Sequence, residues 1–232
     1  MKNICFIGVF DKLDLILYTA KIIKSLGKNV LVIDATELQK ARYIVPTINP
    51  TKSYITRFED IDIAIGFESY EDIEKYIGIT EEQKIKYDYA LVNIDNQENF
   101  NNFNNQSTIK NYFVTSFELY SIRKGLETIK KIDKPIPITK VVFSREINQE
   151  DDYYLDYLAL GYKISWEENK INFPYNTQDI EVMIENQKTF KIKTKGLSQQ
   201  YKDSLEYILV DIMPDVNIIN LRRIMKNIEK EG

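Results

Sequence analysis

The chain of 232 residues has no histidine and a single cysteine. Without imidazole it lacks the commonest metal ligand and general base near neutral pH, and a Ser–His–Asp triad is excluded. A lone Cys5 excludes an internal disulfide framework and any Cys/His metal cluster, and it suits a reducing compartment. A basic surplus is also missing. Lys and Arg number 31 against 35 Asp and Glu, for a formal charge of −4. A general nucleic-acid binder is therefore not expected. No stretch approaches the ~20 uninterrupted apolar residues of a membrane-spanning helix. The apolar run over residues 4–7 is short and reads as a strand, not a leader. A soluble cytoplasmic protein is the expectation.

Apolar residues make up 44% of the chain, which is enough for a substantial core. The length fits one α/β domain over residues 1–232. The abundance of Tyr, Ile, Asn and Lys matches an AT-rich coding sequence and says nothing about function.

Residues 3–8 form a buried strand that stops at Gly8. Residues 13–26 are apolar around most of a helical circumference, with Gly27 at the position of a C′ glycine. Residues 30–33 are a second buried strand ending at Asp34. This is a βαβ unit, which requires a parallel sheet. Extended segments follow at 54–58 and 61–67, helices at 70–77 and 80–86, and a strand at 89–94. Residues 96–106 are Asn-rich and read as a surface loop. A strand at 112–114 leads to Ser116 as N-cap of a helix over 117–132, with Lys130 and Lys131 in its last turn. A strand at 138–143, a helix at 151–160 and extended residues at 162–173 come next. Helices at 177–187, 198–212 and 217–230 close the chain. The alternation predicts an α/β fold: a doubly wound, mostly parallel sheet with helices on both faces.

Five segments, in order, resemble the ParA/MinD ATPases with their deviant Walker motif. Residues 27–34 are similar to the second strand of that family, roughly GKKVLLID. Residues 87–93 resemble its Walker B strand. Residues 113–123 look like "VTTPE…S(L/I)R". Residues 141–145 sit where the family has "VVNR", and 171–176 where it has "IPYD". The TadZ/CpaE branch, which helps place and assemble pilus machinery, is nearest in flavour. The resemblance implies a P-loop NTPase-like three-layer sandwich.

The same resemblance shows what the chain has lost. A P-loop works because glycines turn backbone N–H groups toward phosphates, a lysine spans them, and a hydroxyl holds Mg²⁺. Here the connection after the first strand is about four residues shorter than KGGxGKT requires. Gly8 is its only glycine. Lys12 falls at the P-loop lysine, Leu13 replaces the Mg²⁺ threonine, and the early signature lysine has no counterpart. Asp11 brings negative charge toward the phosphate position. Asp34 stands at the first acid, as site carboxylate or as cap for the next helix. Thr36 replaces the second acid, which organises metal and water. Asn93 replaces the Walker B aspartate, and Asp95 shares its face as a substitute or a polar strand end. Ser144 replaces the adenine-side asparagine, and Pro174 lies in the "IPYD" equivalent. Lys12 reads either as an exposed helix-start lysine or as a surviving phosphate contact.

The resulting expectation is a pseudo-ATPase with no catalytic residues, metal or cofactor. It would be a localisation or assembly scaffold with protein partners and a homodimeric default. One alternative is an ATP/Mg²⁺-dependent dimerising switch using Gly8, Lys12, Asp34, Asn93, Asp95, Ser144 and Pro174. The other is a DNA-associated partition protein, with nucleic acid disfavoured by charge. In the last helix Ile218, Leu221, Ile224, Met225 and Ile228 are accompanied by Arg222, Arg223, Lys226 and Lys230. This helix docks on its own domain or a second subunit, or else makes a peripheral contact at the inner face of the membrane. Asp151–Asp152 reads as a solvated helix start, and Trp166 as a core or interface anchor.

Overall fold

The computed structural model describes residues 1–47, 51–80, 87–145 and 149–231. From the N-terminus run β1 (Lys2–Ile7), α1 (Leu13–Ser25), β2 (Val30–Ala35) and a short α2 (Ala41–Ile44). Next come β3 (Tyr54–Phe58), β4 (Ile61–Ile65), α3 (Tyr70–Thr80) and β5 (Tyr89–Ile94). Then follow α4 (Gln97–Phe103), β6 (Thr108–Ser116), α5 (Leu119–Glu127) and β7 (Ile136–Ser144). The last elements are α6 (Gln149–Ala159), β8 (Ile164–Pro174), α7 (Thr177–Thr189), α8 (Gln199–Ile212) and α9 (Ile218–Glu231).

Among the described residues eight strands join one sheet in the order β3-β4-β2-β5-β1-β6-β7-β8, parallel throughout except for the β3–β4 hairpin. The α/β expectation holds. The first βαβ unit is wider than adjacent pairing would make it, because β5 lies between β1 and β2 and pairs with both.

Alternating side chains split the interior into two cores, as a sheet covered on both faces requires. In β1, Ile4 and Phe6 join the core beneath α1 and α8, while Cys5 and Ile7 join the one beneath α4 and α5. Helix α9 docks on the first core. Leu221 and Ile228 are buried, Ile224 and Met225 pack against it, and Arg222 pairs with Glu206 of α8 at 2.8 Å. Much of its apolar stripe is thereby used within the chain. Among the described residues no helix is long and apolar enough to cross a membrane.

Three local expectations need correction. Within residues 96–106, α4 replaces much of the predicted loop. The Asn96 side chain accepts the Asn99 N–H at 2.8 Å, and Phe100 and Phe103, about one turn apart, are both buried. Asn96→Ala is expected to cost about 1 kcal/mol of stability, measured by urea denaturation. Ser116 ends β6; the N-cap of α5 is Glu118, whose N–H Ser116 Oγ accepts at 3.3 Å. Helix α5 stops at Glu127, so Lys130 and Lys131 lie beyond it. Thr128 instead donates to the Asp95 carbonyl at 3.1 Å. Of the helix expected over 80–86, residues 81–86 lie outside the described residues.

At one margin of the sheet β8 is irregular. Trp166 pairs with Ile138 and Lys170 with Lys140, so Glu167, Glu168 and Asn169 stand opposite Thr139 alone. This is an enlarged bulge that bends the strand. Trp166 anchors the bend, edge-on to Phe113 at 5.8 Å with Lys140 Nζ 5.3 Å from its ring centre. Asp152, expected as a solvated helix start, ties α6 to the sheet through Lys140 at 3.2 Å and Lys170 at 3.0 Å.

Candidate functional site

In open α/β sheets the crevice for a ligand lies at the carboxyl ends of the strands, where successive connections run in opposite directions. Here β1 leads through α1 toward β2, while β5 leads through α4 to β6 on the other side of β1. The loop after β1 therefore occupies the crevice.

Gly8 opens that loop at φ +127°, and its N–H donates to the Ile94 carbonyl of β5 at 3.0 Å. A Cβ at this position would collide with the main-chain oxygen of Val114 in β6. Glycine is required by the close approach of the two main chains, independently of any phosphate.

Lys12 stands just before α1 and is 3% exposed, which corrects the reading of an exposed helix-start lysine. Its Nζ folds back and donates to the Gly8 carbonyl, so the loop binds its own lysine. Burial pulls the Lys12 pKa down to about 8, against the opposing fields of Asp95, Asp34 and Asp11. Leu13, at the place of the metal-binding hydroxyl, is fully buried in the core.

Asp34 lies at the end of β2 and is 1% exposed. One oxygen accepts from Thr36 Oγ1 at 2.7 Å and Asn93 Nδ2 at 3.3 Å; the other accepts the Ala41 N–H at 2.8 Å. Ala41 is the first residue of α2, so Asp34 does hold the start of the next helix. Desolvation raises its pKa, and the bonds from Thr36 and Ala41 restrain the rise. Asn93 sits in register with Asp34 across the β2–β5 pair. Asp95 lies just beyond β5, where its carboxylate accepts the Glu37 N–H at 3.1 Å and Asn96 Nδ2 at 3.0 Å. Both candidate acids are thus engaged by the protein's own donors. Among the described residues no group of three or more acids or other metal-binding side chains could hold a metal ion. Lys12, Asp34 and Asp95 are each held by partners within the protein, and Leu13 has no hydroxyl to offer a metal.

Gly8, Lys12, Asp34, Asn93 and Asp95 gather at the carboxyl ends of β1, β2 and β5, whereas Ser144 and Pro174 pair with each other at the ends of β7 and β8. What links the two groups is Phe10, which sequence reasoning passed over. Its ring stacks on Phe143 at 4.8 Å and meets Tyr175 edge-on at 6.1 Å. The available signal was an aromatic residue in a loop where the resemblance calls for glycines.

Comparison with known proteins bears on the fold. A ParA family ATPase from Chlorobium tepidum has a TM-score of 0.57 and 15% identity, covering 90% of this chain and 97% of that one. A putative plasmid partition protein from Borrelia burgdorferi, bound to AMPPNP, has a TM-score of 0.56 and 14% identity, covering 93% and 99%. The MinC:MinD cell division complex from Aquifex aeolicus gives a TM-score of 0.50 and 17% identity, covering 90% and 96%. These likenesses establish the P-loop NTPase-like fold of the ParA/MinD proteins. No protein-family model and no curated protein matches the chain.

Proposed function

We propose that this chain keeps the ParA/MinD fold without ATP hydrolysis and works through its surfaces. It would be a localisation or assembly scaffold for machinery of the partition, division or pilus type. The observation that carries this reading is the inward Lys12, whose ammonium is held by the Gly8 carbonyl of its own loop. A triphosphate needs that lysine turned outward and several free backbone N–H groups around it. Leu13 and Asn93, where metal binding calls for a hydroxyl and an acid, agree with the same reading. Solved neighbours include a MinC:MinD complex, which makes a protein partner the natural kind of ligand for such a scaffold.

Titration of the purified protein with ATP and Mg²⁺ in a calorimeter tests this. The expected result is no saturable heat up to about 1 mM nucleotide, a binding free energy weaker than about −4 kcal/mol. Micromolar binding would overturn the reading in favour of an ATP-dependent dimerising switch. Loss of that dimer in Lys12→Ala would then be its signature.

A further inference from the structure

Helix α6 is apolar on two sides. Toward the sheet, Leu155 and Ala159 are buried and Leu158 packs beside them. Away from it stand Tyr153, Tyr154 and Tyr157, with Leu160 just past the helix end; they are 71%, 45%, 67% and 78% exposed. Their spacing of three and four positions sets them on one stripe. A surface helix ordinarily turns charge to that side. The neighbouring α5 does so, with Arg123, Lys124 and Glu127 exposed beside Tyr120. Helix α6 has no lysine or arginine. The rings of Tyr154 and Tyr157 lie nearly parallel, 18° apart with centroids at 6.4 Å, and form a flat shelf.

Size and charge decide what covers this face. At ~200 Å² for an aromatic side chain, the exposed parts of the four residues come to about 500 Å². That is at the upper end of the largest apolar patch on an ordinary monomer. Two such faces together reach about 1,000 Å², the least that a specific interface needs. Tyrosine is also among the residues enriched at interfaces. The charges at the two ends of the stripe are opposite. Glu150 and Asp151 open the helix, while the exposed Lys163 follows it. Lys163 donates to the Asp133 carbonyl at 2.9 Å, which uses one of its three N–H groups. Asp152 and Asp156 are turned to the sheet, where Lys140 and Lys170 hold them. An anionic membrane or a nucleic acid would meet acids here instead of the basic face each requires. A face with acid at one end and base at the other is complementary to itself turned end for end.

We infer that the outward face of α6 pairs with the same face of a second copy of this chain, the two helices antiparallel about a twofold axis at Tyr157. Leu160 lies three positions after Tyr157 and Tyr153 four before it, so Tyr153 of one copy meets Leu160 of the other. Tyr154 comes over Gly161 of the second copy, where no side chain obstructs the ring and the surroundings are open. The acids at the helix start face Lys163 of the second copy, and this happens twice because the contact is isologous. The charges set orientation, and the tyrosines supply the adhesion. None of the crevice residues takes part, so success or failure of this pairing is read separately from nucleotide binding.

Sedimentation velocity of the full chain without nucleotide, over a concentration series, tests the pairing. A reversible dimer with a Kd of about 1–100 μM is expected, unchanged by ATP and Mg²⁺. Tyr157→Lys brings two ammonium groups together at the axis. It should stay folded by circular dichroism and dimerise about tenfold more weakly or worse; Leu160→Lys, at another exposed position, should act alike. Lys163→Glu alone, and Glu150→Lys with Asp151→Lys, should each weaken the dimer several-fold. An equimolar mixture of these two charge variants should restore it, because every end contact in the mixed dimer is again between opposite charges. A wild-type chain still monomeric at about 0.5 mM, a dimer unaltered in folded Tyr157→Lys and Leu160→Lys proteins, or a mixture no tighter than its components would each overturn the inference.

Discussion

Gly8→Ala should destabilise the protein by about 4 kcal/mol, enough to unfold many domains of this size. Two costs add. At φ +127° an L-residue is strained, by about 1–3 kcal/mol. The new methyl must also displace the Val114 carbonyl, a main-chain atom within the β6 ladder beside β1. A flexible side chain could move aside, but a paired strand cannot do so without disturbing its neighbours. Urea denaturation would report a large fall in midpoint, or the variant would fail to express in soluble form. A variant as stable as the wild type would show that the loop after β1 leaves the sheet by another path.

A second large effect concerns pH. Lys12 has a folded pKa of about 8 against an ordinary value of 10.5. Below pH 8 both folded and unfolded chains carry the proton, and the cost of the buried charge is fully present. Between 8 and 10.5 the unfolded chain holds more protons than the folded one, so this contribution makes stability rise with pH. The full span is worth about 3 kcal/mol, of which about 2 kcal/mol appears between pH 7.5 and 9.5. Cys5, raised by burial to about 12, and the buried tyrosines Tyr18 and Tyr70, also raised, act in the opposite direction at alkaline pH. Comparison with Lys12→Met separates the effects, since both proteins share those groups. The wild type should gain about 2 kcal/mol relative to the variant over that window. Parallel pH profiles would mean that the Lys12 ammonium is hydrated in solution and that the loop is open.

What was legible in the sequence follows from how local each signal is. β1, β2 and β5 are apolar runs because both of their faces are covered, and a short run bounded by polar residues needs no further context. Helix α4 was hidden because its apolar content is just Phe100 and Phe103 in an Asn-rich stretch. Helix α2, four residues long, depends on a bond its Ala41 N–H donates to Asp34, seven positions earlier in the chain, which no periodicity records. The β3–β4 turn places Glu59 and Asp60 at φ +47° and +65°, without the Asn-Gly pair that announces such turns. In the site, the resemblance set Lys12 at the place of the P-loop lysine and Leu13 at that of the hydroxyl. It could not say which way a four-carbon side chain would fold, and that direction decides between an exposed lysine and one that fills its own loop. Phe10 is a similar case, because its partners Phe143 and Tyr175 are brought in by distant strands.

The bend in β8 bears on how copies of this protein can aggregate. A regular edge strand offers a second molecule a template for continuous main-chain pairing, the route to fibrils. Here Glu167, Glu168 and Asn169 bulge from the one margin, and the other is closed by β3, a strand of five residues carrying the exposed Arg57. Neither border gives an incoming strand a long straight register. Polymerisation by strand addition is thus discouraged at both ends of the sheet, and association is left to the helical faces, where a complex can be finite and reversible.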